Sequence, residues 1–321
     1  MAKFYTNQKP LSFNLTYDVP FKFMFAQQGE TESLLARFLN YVLALKGEQE
    51  IIKLEYQNVE IPPLSMEGRR LILDLKVTDQ GGKTYNIELQ REDRASIISR
   101  ALFQYSRITG EQLEKNQGFD SLKPVVIVLL CNYPTYPDAD PIRLFKLMPV
   151  SLNKVNGQQT LPYLTTHFDK RNHISYSRFE RRIQRAADSL NLLQIYLVEL
   201  TKNFKELSPD QQTCLNYLTT DFFFEQGDQN MNQNTPKAPQ DLVHQQASSE
   251  VKKWIKEAHA RLEYFAGQPD QREAYEQEFL NILDHNTAAN FNYNEGKAEG
   301  LAEGAAKGLV KGKAEGLAEG E

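Results

Sequence analysis

The 321-residue chain predicts an α/β fold whose core runs helix, three strands, helix, strand. Two observations carry this: the apolar period switches between about 3.6 and 2 along the chain, and one apolar run is uninterrupted. Residues 31–45 place Leu34, Leu35, Phe38, Leu39, Val42 and Leu43 at helical spacing, with Thr31 positioned as the cap. Residues 51–60 read as a strand that Pro62 and Pro63 stop. Residues 71–77 and 84–90 alternate apolar and polar on either side of Asp79–Lys83, a turn-forming DQGGK, which is the pattern of an antiparallel hairpin. A helix from about Ala95 to Leu113 follows, with Ile97, Ile98, Ala101, Leu102, Tyr105 and Ile108 as its expected buried stripe. Residues 125–130 are wholly apolar, as in strands covered on both faces.

The hairpin holds the chain's most informative acids. Alternation puts Leu71, Leu73, Leu75 and Val77 on one face with Tyr85, Ile87 and Leu89, and puts Asp74, Lys76 and Thr78 on the other with Thr84, Asn86, Glu88 and Gln90. Antiparallel pairing then sets Thr78 opposite Thr84, Lys76 opposite Asn86 and Asp74 opposite Glu88. Like charges facing each other across a ladder destabilise it, so a divalent cation between Asp74 and Glu88 explains the pair. The alternative is a half-solvated sheet face on which Lys76 neutralises both acids, and spacing alone favours that reading.

Composition bounds the partners. A net charge of −5 rules out a polyanion binder held by bulk charge, so nucleic-acid binding requires a local basic surface. Arg91, Arg94, Arg100 and Arg107 lie around the second helix, and Arg178, Arg181, Arg182 and Arg185 form a run that reads as a solvated helix face. Cys131 and Cys214 lack pairing or ligand spacing. His167, His173, His244, His259 and His285 are scattered, with no metal-ligand repeat. The polar start MAKFYTNQKP and the lack of a long apolar run point to a cytoplasmic protein without a membrane span.

The blocks YDVPFKFMF, LLARFLNYVL, IIKLEYQNVEIPP, LDLKVTDQGGKTYNIELQ, RALFQYSRITGEQL and LKPVVIVLL, in that order, resemble the PD-(D/E)XK nuclease-like transposases, specifically the recombination-promoting nuclease (Rpn) family. The later LQIYLVELTKNFK and the Gly-Lys-Ala-Glu tail are similar to that family too. The resemblance implies a restriction-endonuclease-like core. It makes Asp74 the motif aspartate, Glu88 the second acid, Gln90 the occupant of the superfamily's usual lysine position, and Asp18 an amino-terminal acid. Leu73 stands where the motif's name has proline. Glutamine at the lysine position is usual in the Rpn family, and Lys76 or Lys22 could supply the missing charge.

The implied activity is a metal-dependent DNA endonuclease in recombination or mobile-element biology. Asp74, Glu88 and the Leu89 carbonyl would hold Mg²⁺, for which Mn²⁺ can stand in, while Gln90 orients a water and Arg100 and Arg107 contact DNA. The rival reading is a non-enzymatic DNA-binding or oligomerising scaffold with the same fold. A DDE transposase would need a third, distant acid, and none stands out.

The expected organisation is a nuclease-like domain over residues 1–224, a polar linker over 225–249, a helical extension over 250–290 and a repeat tail over 291–321. Residues 209–224 read as a helix, as do 251–265, with Trp254, and 272–283. In the tail KAEGLAEG occurs twice, and glycine recurs every fourth residue from Gly296 to Gly320. Interior glycines cost a helix about 1 kcal/mol each, so the tail is expected not to hold a helix alone. Should it be helical, its glycine ridge would suit a homo-oligomer.

Overall fold

In the computed structural model, β6 (Thr84–Gln90) and β7 (Val125–Cys131) form the centre of a six-stranded sheet, and all fourteen of their residues are buried. The structure describes residues 12–63, 70–92, 96–113, 117–147, 191–224 and 239–318. The sheet order is β2 (Leu54–Tyr56), β5 (Leu75–Asp79), β6, β7, β9 (Leu193–Glu199) and β8 (Ile142–Lys146). The β6–β7 and β7–β9 pairs are parallel and the remainder antiparallel, so this is a mixed α/β architecture.

The hairpin register is the one its alternation predicts, with Thr78 paired to Thr84 and Lys76 to Asn86. Its turn is closed by Asp79, whose Oδ1 accepts hydrogen bonds from the Gly81 and Lys83 amides at 2.8 and 3.0 Å. Gly82 takes a φ of +82°, a conformation that side chains rarely adopt.

The expected single strand over 71–77 is broken. Leu71–Ile72 form β4, paired with β3 (Glu60–Ile61), and the chain enters the main sheet only at Leu75. The Leu73 amide donates to the Val59 carbonyl at 3.0 Å, pulling that residue out of line with β5. Leu73 therefore does not share a face with Leu75 and Val77. It joins the cluster of Ile97, Ala101, Ile108, Ile127, Leu129 and Cys131 beneath α3 (Ile97–Gly110). The same partner change divides the expected strand over 51–60 into β2 and β3.

The face of β6 that carries Asn86, Glu88 and Gln90 lies level with Ile127, Leu129 and Cys131 of β7, on the α3 side. It is buried, which removes the half-solvated alternative for this hairpin. The buried side of α3 comprises Ile97, Ala101, Gln104, Arg107 and Ile108, while Leu102 is exposed. Tyr105 is partly buried and packs against the cluster as expected, but two polar side chains, Gln104 and Arg107, share the buried stripe in which apolar spacing placed Leu102.

A helical group completes the unit spanning residues 1–267. It comprises α1 (Asp18–Phe25), α2 (Glu32–Val42), α4 (Pro209–Thr219) and α5 (Ser249–Gly267), with α5 packing on the other three. Trp254 of α5 is buried, stacks on Phe38 and donates its indole N–H to the Leu34 carbonyl at 2.9 Å. Thr31 does cap α2, but its hydroxyl bonds the Gln27 amide and the Tyr56 hydroxyl rather than the helix.

The expected helix over 209–224 ends at Thr219, and Phe222–Phe223 instead pair as β10 with β1 (Ser12–Phe13). Between Pro239 and Ser248 the chain is held by α4, through Thr213 Oγ1 to the His244 amide and Asp210 to the Ser248 amide. The second unit, residues 268–321, contains one 50-residue helix, α6 (Pro269–Ala318). It corrects the expectation that the glycine-punctuated tail would not be helical. The residues between glycines are mostly Ala, Leu, Glu and Lys, the strong helix formers, and Glu303 pairs with Lys307 one turn on at 2.6 Å.

Candidate active site

The break before β5 gives Asp74 its position. One residue beyond the last ladder pair, Leu75 with Ile87, it lies level with Glu88 but outside the strand. The two acids hold each other through backbone amides. The Asp74 N–H donates to Glu88 Oε1 at 3.3 Å, and the Leu89 N–H donates to Asp74 Oδ2 at 3.0 Å. A strand continuing straight through Asp74 would have spent that amide on the ladder.

Glu88 is inaccessible to water. Burial and, second, the Asp74 charge raise its carboxyl from 4.5 to about 7, against the opposing pull of Gln104, Arg100 and Asn86. Asp74 is likewise raised, by burial and then by Asp18, with the Leu89 amide, Lys22 and Arg100 working against this. Arg100, from α3, reaches Glu88 Oε2 at 3.4 Å, and Asn86 Nδ2 donates to Glu88 Oε1 at 3.2 Å. Gln104 stands near enough to pull the carboxyl toward its ionised form, though neither of its buried amide atoms has a partner in full bonding geometry.

The amino-terminal acid is delivered by Arg91. Its guanidinium donates to the Thr16 carbonyl at 2.7 Å and lies 3.6 Å over the Tyr17 ring, fastening the start of α1 to the residue after Gln90. Asp18 and Lys22, paired at 3.6 Å one turn apart, are thereby close enough to act on Asp74. The sequence marked Arg91 only as a basic surface candidate. Its anchoring role has no local signal, because Thr16 is 75 residues away.

Other expected site residues lie elsewhere. Lys76 pairs with Glu111 at 3.0 Å, at the far end of α3, and does not neutralise Asp74 and Glu88. Arg107 is buried and bonded to the Pro62 carbonyl, about 10 Å along α3 from Arg100, which corrects its placement on a DNA-facing surface. Leu89 contributes its amide to Asp74, a contact the sequence did not indicate. Gln90 is buried at the carboxyl end of β6. Arg94, Arg178, Arg181, Arg182, Arg185, His167 and His173 fall outside the described residues. His259 packs against Phe222 and Phe224, and burial lowers its pKa.

Among the described residues no three His, Cys, Asp or Glu side chains gather as a ligand set. The donors present still fit a hard divalent cation that retains most of its water. Two crowded carboxylates repel each other, and unfilled amide oxygens stand beside them.

Glu199, which the sequence did not single out, is the other buried carboxylate here. It lies at the end of β9, level with Cys131 and Gln90 across the parallel strands. Arg143 and Lys202 each reach its Oε2 at 2.8 Å, while the Thr135 and Tyr136 amides donate to its Oε1.

Comparison with known proteins gives one family. Residues 15–165 match the family model described as PD-(D/E)XK nuclease family transposase. Neither a curated protein nor a solved structure matches the chain.

Proposed function

We propose, from the match of residues 15–165 to the PD-(D/E)XK nuclease family transposase model, that the chain is a metal-dependent DNA endonuclease acting in recombination or mobile-element biology. The family supports a nuclease-type hydrolase, and the six-stranded mixed sheet agrees with a restriction-endonuclease-like fold. The observation that carries the finer reading is the reciprocal amide clamp holding Asp74 and Glu88 together under α3.

Asp74, Glu88 and the Leu89 carbonyl are the groups that would hold Mg²⁺ or Mn²⁺. Such an ion would lower the pKa of a water so that it can be deprotonated to the nucleophile, and would supply positive charge for the phosphate oxygens. Glu88, raised to about 7, would bind a cation in its ionised form, so cation binding there would be linked to loss of its proton. Gln90 orients the attacking water through its amide. Arg100 has one long contact with Glu88 and a partly exposed side chain, so it can turn to a DNA phosphate without breaking a strong pair. Asp18 and Lys22 set the charge around Asp74.

Supercoiled plasmid incubated with the purified full chain tests this. Nicking or linearisation is expected with Mg²⁺, none with chelator, and none with Asp74→Ala. Undiminished cleavage by Asp74→Ala rules out the assignment.

A further inference from the structure

Gln104 is completely buried on α3, one helical turn after Arg100, and neither its Nε2 nor its Oε1 has a hydrogen-bond partner. Asn86, equally buried on β6, donates its Nδ2 to Glu88 but leaves its Oδ1 unpaired. Leaving buried polar atoms unbonded costs the full desolvation of each, and native folds seldom tolerate it without use. These two residues neighbour one carboxylate, Asn86 from the sheet and Gln104 from the helix above it.

We propose that Gln104 and Asn86 are positioning residues that hold a hydrated divalent cation through its waters, outside the carboxylate ligands. This rests on the metal site proposed above. Waters around a cation turn their oxygens inward and present hydrogens outward, so their second shell must consist of acceptors. Asn86 Oδ1 and Gln104 Oε1 are unfilled acceptors, and carboxylates that hold only part of a small ion's shell leave waters for them to bind. An apolar side chain at position 104 would serve packing under α3 better, since Ala101, Ile108 and Leu129 share that core. Glutamine there is explained by a polar guest.

Calorimetric titration of the full chain with Mg²⁺, alongside thermal melting without metal, tests the proposal. Gln104→Leu is expected to bind Mg²⁺ about 10- to 100-fold more weakly, the usual effect of losing an outer-shell partner. Its metal-free melting temperature should equal or exceed wild type, because the unbonded amide is gone. A role in packing alone would lower the melting temperature and leave affinity unchanged. Should Gln104→Leu fail to fold, Gln104→Met carries the same expectation, since its flexible side chain adapts to the space. Wild-type affinity in the variant that folds overturns the inference alone. Absence of Mg²⁺ binding in the wild type, or full binding by Asp74→Asn, overturns the metal site and this inference with it.

Discussion

Glu88 and Glu199 are the two carboxylates among the described residues that water does not reach, and they titrate in opposite directions. Burial is the largest influence on both and raises each. At Glu199, Lys202 and the Tyr136 and Thr135 amides outweigh it, and the pKa falls below 4.5. The cations reach it at 2.8 Å, the length of strong charge-assisted bonds. At Glu88 the three donors stand 3.2 to 3.4 Å away, and the largest influence after burial is the charge of another acid, Asp74. One carboxylate has been given its counter-charge by the fold. The other has been left short of it, and that shortfall is what supports the proposed cation site over a structural ion cluster.

The sharpest separation comes from deleting the acids in turn. Asp74→Ala or Glu88→Gln should reduce Mg²⁺-dependent cleavage to the level seen with chelator while stability stays level or rises, because each removes a repulsion. Glu199→Ala should cost about 1–3 kcal/mol in urea unfolding, since it leaves the Thr135 and Tyr136 amides without their acceptor and Arg143 and Lys202 with Asp138 alone, among the described residues, as their ion-pair partner. Its specific cleavage, where folded, should stay close to wild type. The comparison breaks if Glu199→Ala unfolds no more easily than Glu88→Gln.

The two acids also predict opposite pH trends. Folded Glu88 holds its proton up to about 7 whereas the unfolded chain releases it near 4.5, so its contribution to stability declines as pH rises through that window. Glu199, lowered in the fold, contributes stability present above about 4.5 and lost as pH falls through its folded pKa. Melting curves from pH 4 to 8 should therefore show Glu88→Gln losing less stability than wild type between 4.5 and 7. A parallel decline in both proteins would mean that Glu88 is not raised.

A smaller effect is expected at Gln90, for which we propose an orienting amide rather than a ligand. Gln90→Ala should weaken cleavage less than Asp74→Ala and leave Mg²⁺ affinity near wild type. An equal loss of binding would move Gln90 among the ligands.

Much of this contrast was legible in the sequence on one side only. Asp74, Glu88 and the Lys76–Asn86 register follow from alternation and turn chemistry, which are local. The strand break at Leu73 was not legible, because it depends on the Val59 carbonyl. Helical period placed Leu102 in the buried stripe of α3, yet it is exposed and Gln104 and Arg107 are buried there, drawn by polar partners or needs that hydrophobic counting ignores. Glu199 escaped notice because only Lys202, three residues on, is local, whereas Arg143 and the Thr135 and Tyr136 amides that complete its surroundings come from more than fifty positions earlier. Carboxylate chemistry could be read from the strand that bears it. The supply of counter-charge could not.

The smallest effect belongs to Lys76, and it tests the shortfall at Glu88 directly. Lys76 shares the side of β5 that faces Asn86, so a lysine able to swing inward would supply the missing positive charge. The structure instead engages it with Glu111, some 16 Å along α3 from Arg100. Lys76→Met should then cost no more than about 1 kcal/mol, the worth of a largely peripheral ion pair, and leave both cleavage and Mg²⁺ affinity unchanged. A marked fall in cleavage would show that Lys76 leaves Glu111 for the site during turnover. Glu111→Gln distinguishes that case: releasing the lysine should then raise activity, whereas a lysine that never visits the acids leaves it as it was.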